Sequence, residues 1–230
     1  MEREAEKQDS VPMIGRGTGN SGVLFLIAIR ALRAMRLKSK NEPTATDAMI
    51  CTVFAVAAIE TFLYELGEQA LSELEKSPEG QVLHGLGKLV RDMEGSKFQP
   101  YQKVIWIVRY LTGKPADQGT KVFQDFDVLV RLRNLIIHLK DTEEIWWYQD
   151  GSMKNVGTPK VISQLESMGL IPKPYRPSWV VAISTAEIAE WSCLTARAMV
   201  ETLTNLLPDS ICKHLTANSL TAFRLYKPPE

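Results

Sequence analysis

The chain has no surplus of charge of either sign: 27 Lys and Arg balance 27 Asp and Glu. That excludes a protein that coats nucleic acid by bulk electrostatics and confines any RNA contact to a local patch. Cysteine is scarce. Cys51, Cys193 and Cys212 lie far apart and are odd in number, so they spell out no complete disulfide framework, and a reducing, cytoplasmic setting is expected. Cys212 and His214 are too close and too isolated for a zinc site, and His84 stands among glycines on an expected surface helix. There is no phosphate-cradling glycine loop, no paired-cysteine motif and no nucleophile elbow. The apolar run from Val23 to Ile29 is too short to span a bilayer and is followed at once by Arg30, Arg33 and Arg36, so no membrane association is expected.

What is present is helical periodicity. Residues 1–21 mix charges with Gly and Ser and read as a flexible leader. A first helix is expected over 22–38, with its three arginines on one solvated flank. Pro43 breaks the chain, and Thr44 or Thr46 can cap a long apolar helix reaching about Lys76. Ser77-Pro78-Glu79-Gly80 reads as its terminator, with a shorter amphipathic helix over 81–93. Pro100 opens the next helix and Gly113 closes it, and a fifth helix is expected from Thr120 to Lys140.

Residues 141–182 differ in texture, with Gly151, Gly157, Gly169 and four prolines. They read as a long loop-rich insertion anchored by Trp146, Trp147, Tyr148, Tyr175 and Trp179. One short helix is expected within it over 159–168, and brief strand character over 179–183. Another long helix runs from Thr185 to Leu207, a last short one over 210–221, and 222–230 form a tail. Helices following one another without alternating strands make this an all-α, up-and-down bundle: one domain over 22–221, with 141–182 inserted.

The fifth helix concentrates the chemistry. At about 100° per residue Asp127, Arg131, Asn134 and His138 fall within a stripe about 60° wide, while Val122, Phe126, Val128, Leu129, Val130, Leu132, Leu135, Ile136, Ile137 and Leu139 cover the rest. A helix apolar nearly all round is expected to be central. Its polar stripe then faces a cleft, a subunit partner or an internal hydrogen-bond network, the last being a role that needs no chemistry.

Arg133-Asn134-Leu135-Ile136-Ile137-His138, within "RLRNLIIHLK", resembles the Arg-Asn-x-x-x-His signature of HEPN domains. The likeness extends to an earlier helix with an embedded acid, "AVAAIETFLYEL" around Glu60, and to a later one, "TAEIAEWSCLTARAMVETL", covering roughly residues 44–207. The resemblance implies a helical bundle that dimerises to build a composite, metal-independent endoribonuclease site, with no cofactor. It implies Arg133 and His138 as catalytic residues, with Asn134 beside them. It also implies a place in toxin or antiviral-defence systems, with RNA as substrate and an antitoxin or other regulatory partner.

The residue chemistry agrees with those roles. RNA supplies its own nucleophile, the 2′-hydroxyl, so proton transfer and one cation suffice. Histidine transfers protons near neutral pH, and a guanidinium grips two phosphate oxygens. On an ideal helix Arg133 lies about 140° from His138 and Arg131 only about 20°, so Arg131 is a possible substitute, or else the partner of Asp127 four residues before it. Glu60 can orient an arginine or histidine, or simply pair with one.

Overall fold

A computed structural model of the chain describes residues 19–37, 45–72, 77–138, 145–147, 153–155, 159–171, 179–208 and 221–225. Helices α1 (Asn20–Leu37), α2 (Ala45–Leu71), α3 (Pro78–Gly95), α4 (Pro100–Thr112) and α5 (Lys121–Ile137) are followed by two three-residue strands, β1 (Ile145–Trp147) and β2 (Met153–Asn155). Then come α6 (Lys160–Ser167), α7 (Trp179–Ile183) and α8 (Ala186–Leu206). The strands pair antiparallel, Trp146 opposite Lys154. The fold is all-α in class.

The central helix is α2, not α5. It packs against α1, α3, α5 and α8, and Cys51, Ala55, Val56, Ala58, Ile59 and Leu63 on it are fully buried. Thr46–Leu71 is long and apolar enough to cross a bilayer by length and composition. In the fold, neighbouring helices cover much of that surface. α5 is one-sided by comparison: Phe126, Leu129 and Leu132 are buried, but Ile137 is half exposed.

Helix ends follow local chemistry. Gly80 N–H donates to Ser77 Oγ at 3.0 Å, and Pro78 takes the first helical position, where its missing N–H costs nothing. The Ser-Pro segment that reads as a terminator in the sequence is therefore the N-terminal cap of α3. Gly113 ends α4 with φ 69°, a left-handed conformation that suits glycine. On α2, Glu65 reaches the first turn of α1: Ser21 N–H donates to its Oε1 at 3.3 Å and Ser21 Oγ to its Oε2 at 2.5 Å, an anion at a helix N-terminus.

α3 crosses α2 where both lack side chains. A Cβ built on Gly87 stands 2.7 Å from Leu71 N and 2.8 Å from Gly67 O, so only glycine permits this approach. α4 is tied to α3 by the buried Lys103, whose Nζ donates to Glu94 Oε1 at 2.6 Å.

Trp179–Ile183 is helical rather than extended. Trp179, Ala182 and Ile183 are buried, a spacing of three and four that a helix satisfies and an alternating strand does not. Ala222 and Phe223, assigned to the C-terminal tail from sequence, are buried. Phe223 stacks on Phe25 of α1 with ring centroids 4.2 Å apart. The expected leader up to residue 18, the short helix over 210–220, and Tyr148, Tyr175, Cys212 and His214 lie outside the described residues.

Candidate active site

Five of the six residues singled out by sequence sit on or at the end of α5, and the helix sends them in three directions. Asp127 and Arg131, four apart, form an ion pair on one side, with a second, longer donation from Arg131 Nε to Asp127 O at 3.4 Å. Both are partly exposed and line a cavity of about 330 Å³ between α5 and α6, shared with Gln124, Gln164 and Ser167. This pair is open to water and is no sealed network.

Arg133 departs by about 200° from Arg131, two residues earlier, and faces α2. Its Nη2 donates to Glu60 Oε1. The Arg133 side chain is 14% exposed and that of Glu60 36%, so the pair sits at the lip of the α2–α5 contact. Arg133 Nε is buried and has no hydrogen-bond partner. Among the described residues one carboxylate thus holds the cation, and its Nε donor is unspent.

His138 is not on the helix proper. It occupies the C-terminal cap with φ −102° and ψ 46°, its backbone N–H donating to Asn134 O at 3.0 Å. The helix that carries Asp127, Arg131 and Asn134 therefore ends at the last member of the stripe. His138 is exposed, next to the half-exposed Ile137, and Asn134 is half-buried. So Arg133 points into the α2 contact, Arg131 lines the α5–α6 cavity, and His138 stands at the open end of α5.

Two neighbours of the Asp127–Arg131 pair escape sequence reasoning. Tyr101 of α4 donates to Gln118 Oε1 at 3.3 Å, and its phenol is pushed above the usual range first by burial, then by the negative charge of Asp127, with Arg131 opposing. Gln164 of α6 lines the same cavity and has a buried amide oxygen without a partner. Neither has a sequence signal, because only packing of α4 and α6 on α5 brings them near. A second cavity, about 370 Å³ between α5 and α8, contains none of the sequence candidates.

Among the described residues no group of three or more His, Cys, Asp and Glu side chains is arranged to hold a metal ion. No family model, no curated protein and no solved structure matches this chain.

Proposed function

We propose that the chain is a metal-independent endoribonuclease of HEPN type, acting on RNA as a homodimer in the cytoplasm. The observation that carries this reading is the pairing of two features within six residues. Arg133 is braced by Glu60 at the lip of the α2–α5 contact, and His138 is exposed where α5 ends.

In this mechanism a 2′-oxygen attacks the adjacent phosphorus and the 5′-oxygen leaves, so one proton is lost from the nucleophile and one gained by the leaving group. His138 accepts the first; His138 of the partner subunit donates the second, since one imidazole does not hold both roles in a single step. Arg133 supplies the cation for the phosphate oxygens, where charge builds. Asn134 positions the groups at the cap. The exposed Ile137 beside His138 gives the second subunit an apolar contact. Such an enzyme, kept inactive by an antitoxin or other regulatory partner, suits a toxin or antiviral-defence role.

A second reading, a catalytically inactive dimeric scaffold with the same helices, is favoured by one fact: Glu60 already neutralises Arg133. The test is to incubate the purified protein with single-stranded and structured RNA, and with DNA of the same sequence, in chelator. The nuclease reading expects 2′,3′-cyclic phosphate ends on RNA and intact DNA. Protein that remains inert toward every RNA while forming a stable dimer favours the scaffold.

A further inference from the structure

We infer that Cys51 and Cys193 form a redox modification site, a dithiol that a hydroperoxide converts into a disulfide joining α2 to α8. The two residues are 142 positions apart, yet their sulfurs stand 3.3 Å from each other and both side chains are fully buried. A disulfide bond is about 2.05 Å long, so the sulfurs need to close by about 1.2 Å.

The register that aligns them is built in. On the neighbouring rung, Thr52 Oγ1 and Ser192 Oγ are 3.1 Å apart, and Ser192 Oγ donates to Ile188 O at 2.8 Å, which leaves Thr52 as the donor between the two hydroxyls. Cys51 Sγ donates to Ala189 O at 3.1 Å, so the Cys193 thiol hydrogen is the one directed at the Cys51 sulfur. Consecutive residues of α2 thus meet consecutive residues of α8, 51 with 193 and 52 with 192. Small neighbours, Ala55, Ala189 and Ala196, are buried on the same two helices and let them come close.

The chemistry balances without a metal. One thiol gives its proton to the peroxide and its sulfur attacks oxygen, forming an S–O bond, breaking O–O and releasing water. The second sulfur then attacks the sulfenic sulfur, forming S–S, while the departing hydroxide takes the second thiol proton as water. One peroxide is reduced to two waters as two thiols are oxidised. The neighbouring Cys51 sulfur and burial push the Cys193 thiol well above its ordinary range, Glu190 adds to this and Arg36 opposes it. The Cys193 thiolate is therefore scarce, and reaction through that sulfur is slow at neutral pH and faster in alkali.

The experiment uses the full chain carrying Cys212→Ser, which removes the third thiol. Reduced protein is treated with hydrogen peroxide at pH 7.4 and at pH 9, under conditions that fully oxidise free glutathione, then quenched, unfolded with an alkylating agent and digested without reductant. The expected result is a reductant-sensitive peptide pair linking Cys51 to Cys193 within a monomer, forming faster at pH 9. The melting temperature should rise by roughly 5–15 °C. Cysteines recovered fully alkylated at both pH values would overturn the inference, as would either one recovered as sulfinic or sulfonic acid or linked between molecules.

Discussion

Arg133 of α5 donates to Glu60 of α2, 73 residues away, and this is the contact that turns the motif arginine inward from the helix surface. A mostly buried guanidinium that loses the one carboxylate it meets among the described residues is left uncompensated. Glu60→Ala is therefore expected to destabilise the fold by about 1–3 kcal/mol, discounted for the exposure of Glu60. A double-mutant cycle with Arg133→Met by urea denaturation should return a coupling of about 1 kcal/mol or more. Additive effects of the two substitutions would mean that the pair contributes nothing to stability.

Gly87 and Gly95, both on α3, should respond in opposite ways to alanine. A Cβ at Gly87 meets backbone atoms of α2 at 2.7 and 2.8 Å, whereas one at Gly95 meets nothing within 4 Å. Gly87→Ala is expected to cost about 1–3 kcal/mol through overpacking, and Gly95→Ala to be neutral or stabilising by up to about 1 kcal/mol. Equal melting temperatures for the two variants would show that the α2–α3 crossing is looser than described.

Phe223 closes the core against Phe25 near the C-terminus. Phe223→Ala is expected to lose about 3–5 kcal/mol, and a chain ending at residue 220 to show a comparably lowered unfolding midpoint. If truncation at 220 leaves the midpoint unchanged, the last turn is dispensable.

The caps of α4 and α8 are legible in sequence because they rest on residues a few positions apart, such as Gly113 after Thr112, or Thr185, whose Oγ1 accepts from Ile188 N–H. Ser77-Pro78 is ambiguous at that range: a proline both stops a helix and starts one, and only the serine's bond to Gly80 N–H decides. The reach of α5 is overestimated because the apolar pattern continues through Leu139 in the sequence while the backbone turns at His138. Neither the Arg133–Glu60 pair nor the Cys51–Cys193 contact is visible beforehand as a contact, since each depends on which helices lie side by side. Spacing on one helix also placed Asp127, Arg131, Asn134 and His138 in one band and Arg133 off it, although it could not say that Arg133 meets Glu60 of α2.

Stability should fall in alkali. The Cys193 thiol is raised in the folded state by the Cys51 sulfur and by burial, so as pH passes the unfolded thiol range near about 8.5 the unfolded chain releases its proton first. The folded state then holds more protons, and stability declines with pH until the folded group also ionises. Urea midpoints of reduced protein between pH 7.5 and 10 should decrease, with a shallower slope in Cys193→Ala. An identical slope in the variant would assign the loss to other groups.

The measurement that bears most directly on the function is cleavage of RNA in chelator by wild-type protein and by His138→Ala, matched for helicity and for dimer content. His138 is exposed at the cap of α5, so its truncation should leave folding within about 0.5 kcal/mol while lowering the cleavage rate by at least about 100-fold. Cleavage at the wild-type rate by His138→Ala would contradict the account.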